Sequence, residues 1–149
     1  MAQSQQLPNL MQDQKYGSAE RIMALPVDRL VALLQDPGAS VYAKAKACMR
    51  LAVVGGKIAV PAVAPLLADA QLSHYARFAL EPNPDASADE ALRAAMATAK
   101  GPALIGIINS IGYRRDAKAL PALEKLRHDS DVEVVHAADA AMGRIRPAL

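Results

Sequence analysis

The chain has 149 residues and a formal net charge of +2, and 52% of its residues are hydrophobic although it has no Trp and one Phe. This length fits a single domain with a core of small side chains, whereas so low a net charge does not by itself indicate nucleic-acid binding. The single cysteine, Cys48, excludes an internal disulfide framework and a multi-cysteine metal site. Since Cys48 falls within a helical pattern, we predict that it is a buried apolar residue.

The first twenty residues differ in character from the rest of the chain. They are polar, contain several Gln residues and lack the apolar segment of a signal peptide. We predict a flexible N-terminal arm or an irregular cap at residues 1–20, followed by a repeat domain at 21–149. No run of about 18 apolar residues occurs, so no membrane span is predicted. We expect a cytoplasmic protein, although a leader removed earlier would leave the same sequence.

From residue 21 onward the pattern predicts an all-α chain of about four helical hairpins. Each hairpin has a first helix, helix A, and a second helix, helix B. Helix A is expected at about 26–35, 58–69, 88–99 and 117–128. Helix B is expected at about 40–53, 71–81, 102–113 and 131–145. The corresponding repeats span about 25–56, 57–86, 87–115 and 116–146. Ser87 and Ser130 are expected to open capping boxes that end at Glu90 and Glu133.

The hairpins repeat with a constant spacing of 31 residues, which is most evident in helix B. Four columns of apolar or small residues recur at i, i+4, i+7 and i+8, which lie on one face of an α-helix. Their members are Val41, Leu72, Ala103 and Val134; Ala45, Ala76, Ile107 and Ala138; Cys48, Ala79, Ser110 and Ala141; and Met49, Leu80, Ile111 and Met142. A looser match in helix A includes Pro61 in an apolar column. The repeat predicts helices that stack side by side and bury these columns.

Several segments carry a resemblance to a known family. DSDVEVVHAADAAMGRIR, residues 129–146, resembles helix B of HEAT-type repeats, and AVPAVAPLLAD (59–69) and ALPALEKLRHD (119–129) resemble the matching helix A. The form is similar to short bacterial HEAT-like repeats, including those of bilin lyase subunits. The resemblance implies a right-handed α-α superhelix, a HEAT-like solenoid. Two repeats depart from the family pattern, because Arg50 and Glu81 occupy the column that holds Gly112 and Gly143 in the others.

The outer columns of helix B are the candidate binding surface, because a helical solenoid presents helix B on its concave side. They vary in character from repeat to repeat, unlike the core columns. The candidate partner-binding residues are His74, Arg77, Phe78, Ile105, Ile108, Asn109, His136 and Asp139. Two interpretations of Ile105 and Ile108 are open: they form the apolar centre of a site with a polar rim, or they pack against adjacent helices.

The histidines and charges of this surface give no signature of catalysis. His74 and His136 lie two repeats apart, about 20 Å if neighbouring helices are about 10 Å apart, so they cannot share a metal ion. Arg77 and Glu81 are spaced i, i+4 and are expected to pair on the helix surface. The basic cluster at Arg114, Arg115 and Lys118 is expected to be a solvated turn. Neither a metal site nor a cofactor site is predicted.

These observations favour a non-catalytic scaffold that binds a peptide or a partner protein on its helix B surface. One alternative is a module that binds the backbone of nucleic acid, for which basic residues of helix B could supply the charge; Glu81 and Asp139 interrupt such a surface. Another is an accessory subunit of a cofactor-handling enzyme, which the bilin lyase resemblance implies. Self-association through the exposed ends of the stack is a further expectation.

Overall fold

A computed structural model describes residues 11–146, and within this range the protein is almost entirely helical. The all-α prediction is confirmed. The helices are α1 (Ala19–Met23), α2 (Val27–Gln35), α3 (Val41–Val54), α4 (Gly56–Val63), α5 (Ser73–Leu80), α6 (Ala86–Met96), α7 (Gly101–Arg114), α8 (Leu120–Leu126) and α9 (Val132–Ile145). Two 3-10 segments, Ala64–Ala68 and Ala117–Ala119, extend α4 and precede α8. Two short strands, β1 (Gln12–Asp13) and β2 (Gly17–Ser18), pair antiparallel.

The eight predicted helices all occur close to their expected positions. Two prolines explain the largest deviation, which concerns the second helix A. The predicted helix at 58–69 divides into α4 and a 3-10 segment. Pro61 and Pro65 cannot donate backbone hydrogen bonds, so a regular α-helix is disfavoured across this stretch. Pro61 is also exposed, and the buried face of α4 is formed instead by Ala59, Val60, Ala62 and Val63.

The two predicted capping boxes are wrong, because aspartates cap both helices. The Asp85 side chain accepts a hydrogen bond from the Ser87 amide at 2.9 Å, and Asp131 accepts one from the Glu133 amide at 2.9 Å. A carboxylate at this position satisfies a free amide and also interacts favourably with the positive end of the helix dipole. The predicted start of α6, at about residue 88, was therefore displaced by two residues toward the C-terminus.

The helices pack in chain order in two rows. The row formed by α3, α5, α7 and α9 has each helix in contact with the next, and α2, α4 and α6 make a second row. Helices of the two rows also pair with each other, as α2 does with α3, α6 with α7 and α8 with α9. The predicted core columns are buried except for Val41, which is exposed, and Met49 and Ala103, which are half-buried.

The described part of the N-terminal segment is an ordered cap on α2 and α3. Asp13 is buried and accepts hydrogen bonds from the amides of Lys15, Tyr16 and Ser40 at 2.7, 2.8 and 2.8 Å. Lys15 and Tyr16 both donate to the Asp36 carboxylate. These bonds join the turn between β1 and β2 to the loop that connects α2 with α3. The part of the arm prediction that concerns residues 1–10 lies outside the described residues, as do residues 147–149.

Candidate functional site

The candidate surface is formed by the solvent-facing sides of α5, α7 and α9, which we call the helix-B face. It is defined by the exposed or half-buried residues His74, Phe78, Ile105, Asn109, Tyr113, His136 and Asp139. The equivalent positions of α3 do not extend it, because Ala43 and Ala47 are fully buried. This burial accords with the packing of α1 and β1 against α3. The N-terminal cap thus closes one side of the face.

Ile108 does not belong to this face, although its register places it among the candidate residues. Its side chain is 0% exposed and lies in the core, so it cannot contact a partner in this structure. Ile105 is half-buried and packs against the same core. For Ile108, packing against the adjacent helices is therefore the correct interpretation. Ile105 retains a partly accessible edge.

Arg77 is directed across the helix-B row and does not pair with Glu81 as expected. Its Nη1 donates to the Gly106 carbonyl at 3.2 Å and to Ser110 Oγ at 3.4 Å. Ser110 Oγ in turn donates to Glu81 Oε1 at 2.6 Å. The buried hydroxyl of Ser110 requires partners, and it is reached by Arg77 of α5 and by Glu81, the residue that follows α5. The result is a polar connection between α5 and α7 that passes through a single serine.

Glycine at position 106 makes this crossing sterically feasible. A Cβ atom built at Gly106 would lie 2.6 Å from Arg77 Cζ and from Arg77 Nε, closer than real Cβ contacts. Any larger residue would displace the guanidinium from α7. Gly106 and Arg77 therefore form a matched pair that the sequence pattern alone did not reveal.

The two histidines of the face are exposed and lie on different helices, α5 and α9. His74 Nδ1 lies 3.4 Å from Arg77 Nη2, and the His74 ring contacts the Tyr75 ring edge-on at a centroid distance of 5.6 Å. His136 is on α9. Asp139 forms an exposed ion pair with Arg127 across 3.2 Å. No group of three His, Cys, Asp or Glu residues within 11–146 is arranged to hold a metal ion.

Arg114 is a structural residue and not part of a solvated basic turn, which corrects the expectation for that cluster. Its guanidinium forms two bonds to Asp89, with Nε–Oδ1 at 2.6 Å and Nη2–Oδ2 at 3.1 Å. It also donates to the carbonyls of Leu80, Glu81, Asn83 and Asp85. The last carbonyls of a helix lack partners within the helix, and Arg114 supplies donors to this end of α5. Its neighbour Arg115 is exposed.

Tyr113 is a surface residue that the sequence analysis did not include. It is 63% exposed on α7, and Phe78 is 49% exposed on the adjacent helix α5. Tyr113 lies one helical turn beyond Asn109, which occupies the column of Phe78. An aromatic residue one turn beyond a candidate column could have been identified from the helical period alone, since i and i+4 share a face.

Two further observations concern the thiol of Cys48 and the length and apolar character of the helices. Cys48 is fully buried, as predicted, and burial raises the pKa of its thiol to about 12, so the thiolate is strongly disfavoured. Among the helices of residues 11–146, none combines the length and apolar character required to cross a membrane.

Comparison with known proteins assigns no family to the chain. No protein-family model matches it. No curated protein is similar to it at a significant level. The HEAT-type resemblance therefore stays a prediction that is based on residues 59–69, 119–129 and 129–146, and the candidate surface must be judged from its own geometry.

Proposed function

We propose that the chain is a non-catalytic protein-interaction module and that its helix-B face binds a peptide or a segment of a partner protein. In this proposal the stacked hairpins form a short right-handed superhelix of the HEAT-like type. The observation that carries the proposal is the exposure of two aromatic side chains, Phe78 and Tyr113, on adjacent helices. Polar residues surround them, including His74 and Asn109.

Phe78 and Tyr113 have the properties of interface anchors. Phe78 is the one Phe of the whole chain, and it is half exposed while much smaller residues fill the core. Aromatic side chains bury about 150–250 Å² each and are enriched at the centres of protein interfaces. With about 10 Å between neighbouring helices and a rise of about 6 Å over the four residues from Asn109 to Tyr113, the two aromatic positions are on the order of 12 Å apart. An extended segment of about four residues spans that distance.

The nucleic-acid alternative finds less support in the positions of the basic residues. Arg77 donates to the backbone and side chain of α7, and Arg114 is bound to Asp89 and to four carbonyls. Because its charge is paired with Asp89, Arg114 contributes less to a phosphate-binding surface than a free guanidinium does. No observation favours the accessory-subunit alternative beyond the resemblance that suggested it.

Self-association through the face that α8 and α9 present at the end of the stack finds little support in the exposed residues of these helices. Six of the eleven exposed residues of α8 and α9 are polar or charged: Glu124, Lys125, Glu133, His136, Asp139 and Arg144. A polar outer face is the usual form of a terminal repeat, because it keeps the end of the stack soluble. We therefore place the partner on the helix-B face.

Site-specific photocross-linking in native cells tests the proposal. Benzoylphenylalanine is introduced at Phe78, at Tyr113 and, as a matched control, at Val53, an exposed apolar residue of α3 outside the face. We expect the same adduct from positions 78 and 113 and none from position 53. In a second assay, Phe78→Asp and Tyr113→Asp should each reduce recovery of the cross-linked partner at least about tenfold, as expected for interface anchors.

Two results would contradict the proposal: adducts at position 53 identical to those at 78 and 113, or unchanged recovery with both Asp variants. Ile105→Asp gives a further check at the half-buried edge of the face. Ile108→Asp is unsuitable, since a charge at a fully buried position would unfold the protein.

A further inference from the structure

A cleft of about 480 Å³ opens where the start of α5 meets the start of α7, next to the helix-B face. Side chains that line it include Ser73, His74, Arg77, Lys100 and Ala103. None of the residues that line it is acidic. Three of the side chains that border the cleft, those of His74, Arg77 and Lys100, therefore carry nitrogen donors.

The donors differ in how firmly they are held. Arg77 is fixed by its bonds to Gly106 and Ser110, so part of the entropy cost of ordering it is already met. An arginine can only donate, so the contact between Arg77 Nη2 and His74 Nδ1 makes Nδ1 the acceptor. Neutral His74 then carries its proton on Nε2, which is a further donor. Lys100 is exposed, and its long side chain has no hydrogen bond or ion pair to the described residues.

A buried hydroxyl without a partner lies in the same place. Ser73 is 7% exposed and lines the cleft, and its Oγ has no hydrogen-bond partner among the described residues. Buried polar atoms usually have a hydrogen-bond partner, so this hydroxyl is available to a polar group bound at the cleft. The start of α7 also favours an anion at the cleft, because no side chain caps its free amides and the helix dipole favours a negative charge there.

An apolar groove of about 530 Å³ continues from this cleft between the 3-10 segment 64–68 and α6. The two spaces share Ala68, Lys100 and Ala103. The groove is lined mainly by alanines, including Ala91, Ala94 and Ala95. A polar end with convergent donors and an apolar extension is the usual composition of a small-molecule site.

We propose that the cleft and groove together bind an organic monocarboxylate on a short apolar stem. The carboxylate lies among Ser73, Arg77 and Lys100, with His74 Nε2 as an additional donor, and the stem lies along the alanine groove. Arg77 and Lys100 contribute two positive charges, and Glu81 is linked to Arg77 through Ser110, which offsets part of that charge. The remaining positive charge suits a singly charged group better than a dianionic phosphate.

Binding is tested by titrating the ¹⁵N-labelled protein with hexanoate and following its amide resonances. We expect saturable shifts confined to residues 68–77, 91–95 and 100–106. Hexanol, which lacks the charge, and acetate, which lacks the stem, should each bind at least about tenfold more weakly, the usual size of one charged contact or several buried methylenes. Hexyl phosphate should bind no more tightly than hexanoate.

Three variants separate binding from folding. Lys100→Gln should weaken hexanoate binding about fivefold or more, and Lys125→Gln, an exposed lysine of α8, should leave it unchanged. Ser73→Ala should weaken binding about threefold and leave the free protein equally or more stable, because the hydroxyl has no partner to lose. The amide spectrum of each variant reports directly that it is folded.

The proposal is overturned by shifts scattered over other basic surfaces, by equal effects of Lys100→Gln and Lys125→Gln, by equal binding of hexanol, or by tighter binding of hexyl phosphate. None of these results bears on the cross-links at Phe78 and Tyr113. The carboxylate site and the proposed partner surface therefore fail or stand separately.

Discussion

The two sides of α7 are built from different chemistry. Toward α5 the contact is polar: Arg77, Ser110 and Glu81 connect the helices, and Arg114 holds the end of α5 by its carbonyls. Toward α9 the contact is close and apolar. A Cβ atom at Gly112 would lie 2.9 Å from both Cα and Cβ of Ala141, so the two backbones nearly touch.

Helices that share one sequence register can therefore form two kinds of contact, polar and apolar. Ser110 and Ala141 occupy the same core column, as do Ala79 and Cys48, yet only the serine recruits charged partners. The helices can therefore stack wherever this column holds a small residue, whereas the residues around the column determine whether the contact is polar or apolar.

We expect the greatest loss of stability from a substitution of Arg114, which lies on the polar side of α7. Arg114→Met removes a largely buried guanidinium and leaves Asp89 and several carbonyls without their donor. Breaking one partner of such a network costs about 3–5 kcal/mol. Urea unfolding should show this loss, with Arg144→Met, an exposed arginine of α9, as the control. A loss below about 1 kcal/mol, the value of an exposed ion pair, would mean that the network is a surface feature.

The next effect tests the apolar side with two glycines spaced 31 residues apart. Gly112→Ala should cost about 1–3 kcal/mol, because overpacking forces α7 and α9 apart. Gly143→Ala meets no atom within 4 Å and should be neutral or stabilise by up to about 1 kcal/mol, as alanine does within a helix. Unfolding free energies of the two variants provide the comparison. Equal effects would show that close approach at Gly112 is unimportant.

We expect a smaller loss of stability from a substitution of Asp13, a polar residue of the N-terminal cap. Burial acts to raise the pKa of Asp13, but the hydrogen bonds from Ser40, Tyr16 and Lys15 outweigh burial and lower the pKa from 3.8 to about 2. The ionised group therefore stabilises the fold above about pH 4, and this contribution is lost as the pH falls through about 2. Asp13→Asn should cost about 1–2 kcal/mol at pH 7.

The pH dependence of that cost distinguishes charge from shape. Unfolding curves of the wild type and Asp13→Asn should converge as the pH falls from 4 to 2, and Glu90→Gln, at an exposed residue of α6, is the control variant. A difference that is constant across this range would assign the effect of Asp13 to packing and not to its charge.

The smallest effect concerns the backbone that follows Arg114. Arg115 adopts φ +54°, in the left-handed region, and is the one non-glycine residue with positive φ within residues 11–146. Glycine is the usual residue at this position after a helix, so Arg115→Gly should stabilise the protein by about 0.5–1 kcal/mol. The midpoint of thermal unfolding should rise by about 2–3 °C. A decrease would show that the Arg115 side chain contributes a contact that outweighs its backbone strain.

The helices and most of the core columns could be predicted from the sequence, because a buried helix face requires apolar or small residues at fixed spacing. The candidate surface was predicted less well. Ile108 was predicted to belong to the surface but lies in the core, and the exposed Tyr113 was not among the predicted surface residues. The burial of Ile108 depends on how far the next helix overlaps α7, and no local pattern encodes that overlap.

The sequence indicated roughly where each helix lies and which columns face inward, since periodicity, prolines and small residues act within a few residues of each other. The partners of Arg77 and Arg114, which donate to atoms about thirty residues away in the chain, became evident only in the three-dimensional structure. A long charged side chain can reach several carbonyls, hydroxyls or carboxylates. Which of them it bonds depends on the space that residues such as Gly106 leave between neighbouring helices.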